Sequence, residues 1–170
     1  MPSVTVGKEQ TQNAGTAEQS AGRAGKRVGR VSELTVIAPF KPGGAERLRA
    51  KFAANPVGFH AAAKVHTLHN SRFVIIDNDT RLLFATAYDG DWDPYINDFA
   101  RLIPEVMDEF FGDLEGWPGI HDPSVKDYIA DHQITADFWY VASPDATVID
   151  VIRGQRIAKA FDELLDAAQQ

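Results

Sequence analysis

Three ionisable side chains in the middle of the chain have the types and spacing that chemistry on a small molecule would need. His69 and Arg72 form a His-x-x-Arg run, and Asp89 follows after the next apolar stretch. A neutral imidazole can act as a general acid or base or can ligate haem iron, and an arginine can hold a carboxylate. We therefore name His69 and Arg72 as candidate catalytic residues, with His69 also a candidate axial haem ligand.

Ordinary structural roles compete with these functional ones. On a regular strand His69 and Arg72 point to opposite faces, and only a β-bulge between them would bring both to one side. His69 could simply be a polar residue at the start of a strand that bonds to the backbone. Arg72 could form a structural ion pair with Asp89 across a hairpin, or the pair could orient a substrate carboxylate or support His69.

Three further side chains are candidates for binding a substrate or a cofactor. They are Tyr88, His132 and Tyr140, the last two near a short aromatic run late in the chain. A His and a Tyr at the mouth of a cavity could bind or activate a ligand. Tyr140 equally suits a core position with a bonded hydroxyl.

The elements that must position these residues begin with a hairpin. The run Phe73-Val74-Ile75-Ile76, the turn residues 77–80 and the apolar stretch 81–88 predict two antiparallel strands. Before them we expect a strand from Val31 and a helix over 45–52. After them we expect a helix ending at Gly112, interrupted at Pro104.

The last part of the chain predicts a short helix, a strand and a long helix. Asp122-Pro123 would open the short helix, and residues 136–141 would form the strand because they are aromatic and β-prone. The long helix would run over 147–168 with an apolar inner face. The resulting order, β-α-β-β-α-β with extra helices, predicts an α+β ferredoxin-like fold with helices on one face of an antiparallel sheet. The strands look apolar on both faces, so we expect the bare face to be buried in a homodimer that forms a dimeric α+β barrel.

Several motifs resemble a bacterial group of dimeric α+β barrel modules with a His-x-x-Arg strand motif. The resemblance spans about residues 31–168 and is carried by the following segments: 69–77, 81–84, 88–90, 128–133, 139–140 and 152–157. The group shares its fold with dye-decolorising peroxidases, chlorite dismutases and small monooxygenases. This kinship implies small-molecule chemistry of an oxidoreductase type, with haem as the implied cofactor. The chain departs from the peroxidases at Tyr88-Asp89-Gly90-Asp91, which keeps only the Asp-Gly of their Gly-x-x-Asp-Gly haem motif.

Composition bounds the remaining possibilities. The chain has 170 residues, no cysteine and a net charge of −7, which excludes disulfides, thiolate metal sites and a broadly basic nucleic-acid face. No stretch is long and apolar enough for a membrane span. Residues 1–30 carry five basic and two acidic side chains and no aromatic, so we predict a disordered basic tail followed by one domain over 31–170. The absence of cysteine suits a reducing compartment, so we expect a cytoplasmic protein.

Three functions follow from these observations. The first is a small-molecule-binding or haem-dependent oxidoreductase-type module, with its pocket between the sheet and the helices and with His69 and Arg72 as its polar contacts. The second is a non-catalytic dimerising module that binds a protein partner. The third is contact with RNA through the basic tail alone, since the rest of the chain is too acidic for it.

Overall fold

The structure is a computed structural model, and it describes residues 19–20, 25–54 and 59–168. Its centre is an antiparallel sheet in the order β1-β2-β3-β5-β4. The strands are β1 (Gln19–Ser20), β2 (Lys26–Val28), β3 (Val31–Pro39), β4 (Leu68–Ile76) and β5 (Arg81–Asp89). A mixed α+β fold with an antiparallel sheet is therefore confirmed, and it is compatible with the ferredoxin-like arrangement.

The predicted hairpin is present as β4 and β5. Its closing pair is Ile76 and Arg81, and the three residues Asp77, Asn78 and Asp79 all have a left-handed backbone, with φ of 52°, 51° and 67°. Asn and Asp tolerate this region better than other non-glycine residues, which explains why the turn is rich in both.

The described residues also form six helices. They are α1 (Gly44–Ala54), α2 (Phe59–Ala62), α3 (Trp92–Leu102), α4 (Pro104–Phe111), α5 (Val125–Asp131) and α6 (Val148–Ala168). The interruption expected at Pro104 separates α3 from α4, because proline cannot donate the helical hydrogen bond and is accepted in a first turn.

One face of the sheet carries the core. Alternate residues of β3 and β5, among them Leu34, Val36, Leu82 and Phe84, pack against the apolar sides of α1, α3, α4 and α5. Phe73 of β4 joins this core through close ring contacts. The sheet and these helices therefore form two layers, and the second face of the sheet is not part of this core.

The strand predicted over 136–141 is wrong. Residues 134–147 have no regular strand, and Gln133 forms one isolated bridge with Val36 at the edge of β3. The physical reason is competition for that edge, because β2 already pairs with Val31 and Ser32 at the other end of β3. The aromatic run instead crosses the second face of the sheet without pairing.

The predicted boundary of the disordered tail is also too late. Residues 26–28, which we assigned to the tail, form β2 on the open edge of β3. Arg27 bonds to Asp91, and Lys26 donates to the carbonyl of Asp137. Three of the five basic side chains of the expected tail, Lys26, Arg27 and Arg30, therefore lie in the described part of the chain, while Lys8 and Arg23 lie outside it.

The long final helix has the predicted extent but not the predicted burial. The sequence predicts an inner apolar face, yet no residue of α6 is buried among the residues that the structure describes. Within those residues, none of the helices combines the length and apolar character needed to cross a bilayer. The dimeric barrel stays a prediction.

Candidate functional site

His69 and Asp89 form a close pair on the second face of the sheet. The Nε2 atom of His69 lies 2.7 Å from Oδ1 of Asp89, and both side chains are largely shielded from water. A carboxylate can only accept, so Nε2 carries the proton and donates it, which leaves Nδ1 of a neutral ring with a free lone pair. Asp89 therefore fixes both the orientation and the tautomer of His69.

The second oxygen of Asp89 has its own partner. Oδ2 accepts a hydrogen bond of 2.8 Å from the backbone nitrogen of Val148, the first residue of α6. Carboxylates are favourable at a helix N-terminus, where backbone N–H groups lack acceptors. The helix start thus holds Asp89 in place while Asp89 holds His69.

A β-bulge brings His69 and Arg72 to the same face. The pairing of β4 with β5 shifts between Leu68 and Asn70. Beyond this bulge successive side chains of β4 alternate between the two faces of the sheet, so Asn70 and Arg72 lie on the same face. Arg72 stands two residues from Asn70 on one face, about 7 Å along the strand. The β-bulge that was needed to bring His69 and Arg72 to one face of the sheet is therefore present.

The expected Arg72–Asp89 ion pair is wrong. Counted from the closing pair of the hairpin, Arg72 lies opposite Ala85, four residues from Asp89. Asp89 is bonded to His69 and Val148 instead. Arg72 is exposed and forms no ion pair with any residue in the described part of the chain.

A coil segment lies over this face and creates the site. We call residues 133–147 the strap. Between the strap and the sheet lies a cleft of about 290 Å³, which we call the open-face cleft. Its lining includes His69, Asn70, Ala87, Trp139, Tyr140 and Val151. A second hollow of about 220 Å³ adjoins it, shares Asn70, Ala87 and Trp139 with it, and is lined also by Arg72.

The turn between β2 and β3, at Gly29 and Arg30, holds the strap in place. The backbone nitrogen of Arg30 donates to the carbonyl of Pro144 at 2.8 Å. Gly29 has a φ of 63°, and a Cβ atom there would lie 2.5 Å from the same carbonyl oxygen. Glycine is therefore required at position 29 both by the turn and by the close approach of the strap.

A buried carboxylate fastens the other end of the strap. Glu33 of β3 is 4% exposed, and its Oε1 accepts from the backbone nitrogens of Lys26 and Ala136 at 3.1 and 3.2 Å. Its Oε2 accepts from the hydroxyl of Thr35 at 3.2 Å. One side chain thus joins β2, β3 and the strap.

The pocket expected between the sheet and the helices is not where the candidate residues lie. That layer is filled by a cluster of aromatic rings around Phe73, Phe84 and Phe111, and the two voids found there measure about 30 and 20 Å³. Such voids hold about one water molecule each. The open-face cleft lies on the opposite side of the sheet.

Tyr88 lies away from the open-face cleft. It is fully buried on the helix side of β5 and stacks on Tyr95 at 3.8 Å. Burial raises the pKa of both phenols, so both stay protonated near neutral pH. Ser32 stands beside the Tyr88 hydroxyl but donates to the Gly90 carbonyl, which leaves the Tyr88 oxygen without a well-formed hydrogen bond among the described residues.

His132 and Tyr140 lie in different environments. His132 ends α5, its Nδ1 lies 2.8 Å from the Tyr128 carbonyl, and its ring packs on Tyr128. It does not line the open-face cleft. Tyr140 does line the cleft and is 74% exposed, so the core position considered for it is wrong.

Sequence reasoning missed three residues that shape this site. Asn70 and Trp139 line both hollows, and Glu33 anchors the strap. The available signal for Glu33 was a charged residue within a strand that is mostly apolar, because buried carboxylates require several donors. The positions of Asn70 and Trp139 depended on the bulge and on the path of the strap, which the sequence pattern does not reveal.

A scan against models of known protein families gives no match for this chain, and a search of the curated proteins finds no similar sequence.

The residues at the site do not fit haem. Iron takes an axial imidazole through a nitrogen lone pair, and Nε2 of His69, the ring nitrogen farther from the backbone, is engaged as the donor of a hydrogen bond to Asp89. The other nitrogen, Nδ1, is bonded to Cγ, so ligation through it would bring a bulky group close to the backbone of β4. Among the described residues, no three His, Asp or Glu side chains gather in a way that could hold a metal ion.

Proposed function

We propose that this chain binds a small molecule with a carboxylate or a similar anionic group in the open-face cleft, and that His69 exchanges a proton with it. The observation that supports the proposal is the 2.7 Å contact between His69 and Asp89 at the lining of a cleft of about 290 Å³. An imidazole whose tautomer is fixed by a carboxylate and whose other nitrogen is free is the usual form of a general base.

Arg72 supplies the charge that an anionic ligand needs. It is exposed in the adjoining hollow and has no carboxylate partner in the described part of the chain, so its guanidinium remains available. Guanidinium groups bind carboxylates through two parallel hydrogen bonds. Arg72 would hold the anionic end of the ligand while His69 acts on the atom that lies in the larger cleft.

The rest of the lining is mixed in polarity and favours a ligand that carries both carbon and polar groups. Val31, Ala87, Trp139, Val141 and Val151 contribute carbon surface to the open-face cleft, whereas His69, Asn70 and Ser143 contribute polar atoms. Carbon surface combined with polar groups that fix orientation is usual for a small-molecule site. The sequence resemblance implies small-molecule chemistry, and in it His69 would be the base that takes a proton from the ligand.

A non-catalytic dimerising module is the second function that we retain. One observation favours it, the exposure of the apolar side chains of α6, of which seven are between 40% and 64% exposed. Surfaces of this kind mark interaction sites. This function does not require the cleft to bind anything.

Nuclear magnetic resonance of the full chain tests the small-molecule site, with benzoate as the probe because it joins a carboxylate to an apolar ring. We expect progressive shifts of the Asn70 and Ala87 amides and of the Trp139 indole. Arg72→Ala should weaken binding about tenfold, the loss of roughly 1.4 kcal/mol. Arg101→Ala is the matched control, because Arg101 pairs only with Asp98 on α3. Shifts that spare the cleft, or that are unchanged by Arg72→Ala, would contradict the proposal.

A further inference from the structure

A buried carboxylate lines the same hollow as Arg72. Glu33 is 4% exposed and belongs to the lining of the hollow of about 220 Å³ that adjoins the open-face cleft. It accepts hydrogen bonds from the backbone nitrogens of Lys26 and Ala136 and from the hydroxyl of Thr35, and all three of these donor groups are uncharged. The hollow therefore has a negative group in its wall as well as the positive group of Arg72.

The register of the sheet places Glu33 and Arg72 on opposite sides of this hollow. Glu33 lies opposite Ala87, and Thr35 lies opposite Ala85. On the other side of β5, Arg72 lies opposite Ala85. With strands about 4.8 Å apart and about 3.3 Å per residue, the Cα atoms of Glu33 and Arg72 are roughly 12 Å apart on one face. The two alanines of the middle strand have small side chains, so the space between the charged groups stays open.

Hydrogen bonds hold the carboxylate of Glu33 on its own side of the hollow. Its Oε1 is bonded to the backbone of β2 and of the strap, and its Oε2 is bonded to Thr35 at 3.2 Å. A carboxylate has about four acceptor positions, so one position is left on Oε2. The guanidinium of Arg72 has a long, flexible stem and can approach from the other side. Two opposite charges thus face one cavity without forming an ion pair with each other.

We propose that the ligand of this site is an amino acid, whose carboxylate binds Arg72 and whose ammonium group binds Glu33. The proposal rests on the proposed function, because it assigns a second charged group to the same ligand. The ammonium group donates to Oε2 of Glu33 and to the hydroxyl oxygen of Thr35, which keeps its own acceptor capacity. Hydrogen bonds between charged groups are stronger than those between neutral groups, so both ends contribute to affinity and fix the orientation of the ligand.

The strap adds aromatic surface that suits an ammonium group. Phe138 and Trp139 line the same hollow, and Ala136 brings the strap to within hydrogen-bonding distance of Glu33. The faces of aromatic rings attract cations, most strongly where water is partly excluded. The positive end of the amino acid therefore lies where both the carboxylate and the rings stabilise it.

The junction between the two hollows gives the direction of the amino acid side chain. Asn70, Ala87 and Trp139 line both hollows, so the two spaces are continuous along this wall. With its charged groups in the smaller hollow, the amino acid extends its side chain into the open-face cleft, where His69 and Val151 form part of the lining. An aromatic side chain suits the carbon surface of that cleft.

Nuclear magnetic resonance titrations of the full chain with matched ligands test the proposal. L-Phenylalanine and 3-phenylpropionate share a phenyl ring and a carboxylate and differ in the ammonium group. We expect both to shift the Asn70 and Ala87 amides, with a Kd about fivefold or more lower for L-phenylalanine. N-Acetyl-L-phenylalanine has no positive charge and should bind no more tightly than 3-phenylpropionate.

Glu33→Gln tests the carboxylate directly, because glutamine keeps one acceptor oxygen for the strap and loses the negative charge. The variant should bind L-phenylalanine and 3-phenylpropionate with the same Kd. It should bind 3-phenylpropionate at least as tightly as the wild type does, which also shows that the cleft is intact. Asp98→Asn is the matched control, because Asp98 pairs with Arg101 on α3, and it should keep the preference for L-phenylalanine.

The outcomes separate this proposal from the proposed function. Binding of 3-phenylpropionate at the cleft with no preference for L-phenylalanine would overturn the amino acid ligand and leave the anion site in place. A preference that persists in Glu33→Gln would show that a different group binds the ammonium, and it would also overturn the proposal. Titrations in which no ligand shifts the residues of the two hollows would overturn the proposed function together with this proposal.

Discussion

The carboxylate of Asp89 and the backbone nitrogen of Val148 are 59 residues apart in sequence and 2.8 Å apart in space. This bond joins the end of β5 to the start of α6. The same carboxylate binds His69 at 2.7 Å, so one side chain serves a helix terminus and a candidate base together. The start of α6 and the orientation of His69 are therefore coupled.

Asp89→Ala should loosen both partners at once. We expect the free energy of unfolding to fall by about 1–3 kcal/mol, because the variant leaves a shielded N–H group at Val148 without its acceptor. Hydrogen exchange at the Val148 amide should become faster than in the wild type, as measured by nuclear magnetic resonance. Asp98→Ala is the matched control, since Asp98 pairs only with Arg101 on the surface of α3. An unchanged exchange rate at Val148 would show that this bond is not formed in solution.

Added haem should not bind through His69. Because Nε2 of His69 donates to Asp89, we expect the absorbance spectrum of the full chain mixed with haem to be the same for the wild type and for His69→Ala. Optical titration with equimolar haem makes this measurement. A Soret band that is present in the wild type and lost in His69→Ala would show that the His69–Asp89 pair opens to accept iron.

Glu33→Ala should release the strap. The variant removes an acceptor that the Lys26 and Ala136 amides share and leaves the Ala136 amide without its acceptor, so we expect the free energy of unfolding to fall by about 1–3 kcal/mol and exchange at Ala136 to become faster. Glu33→Gln retains one acceptor oxygen and should lose less. Equal protection of the Ala136 amide in the wild type and in Glu33→Ala would mean that the strap is held by other contacts.

Part of the free energy of unfolding should depend on the ionised carboxylate of Asp113 and should be lost in acid. Burial alone would raise the pKa of its carboxyl group, but hydrogen bonds from Lys51 at 2.7 Å and Arg47 at 2.6 Å outweigh burial and hold the pKa below its ordinary value. A lowered pKa stabilises the fold above the unfolded-state pKa of about 3.9, and this stabilisation is lost as pH falls through the folded-state pKa.

Urea denaturation measures the difference in unfolding free energy between the wild type and Asp113→Asn. This difference should be at its largest at pH 7 and should decrease below about pH 4. We expect roughly 1–2 kcal/mol at pH 7. Asp98→Asn, with an exposed arginine partner, should show a much smaller difference. A difference for Asp113→Asn that does not change with pH would mean that its ion pairs do not stabilise the fold.

The sequence predicted those parts of the fold whose signals are local. The β-branched run 73–76 and the Asx turn define the hairpin, and Pro104 separates α3 from α4. Phe138, Trp139 and Tyr140 have equally strong β propensity, but β2 and Gln133 occupy the nearby edge of β3, and these three residues do not pair with the outer edge of β4. Propensity describes the residue, whereas pairing depends on which edges other segments have taken.

The sequence predicted several of the residues that line the candidate site but not how they are arranged. The two hollows are lined by three of the predicted residues, His69, Arg72 and Tyr140. A histidine and an arginine within a strand indicate a face that is not packed in the apolar core. The partner of Asp89 was misassigned because the register places Arg72 opposite Ala85. The pocket was expected in the wrong layer, because large aromatic side chains such as Phe84 and Phe111 fill the space between the sheet and the helices.

β4 is the last strand of the sheet, so the backbone groups along its outer side have no neighbouring strand among the residues that the structure describes. Borders of this kind can recruit further chains and grow into fibres. The bulge near Leu68 and the positive charge of Arg72 both interrupt a flat, uncharged border, and they therefore act as safeguards against such growth. A substitution that removes the charge of Arg72 would therefore carry a solubility penalty at high protein concentration, in addition to its effect on ligand binding.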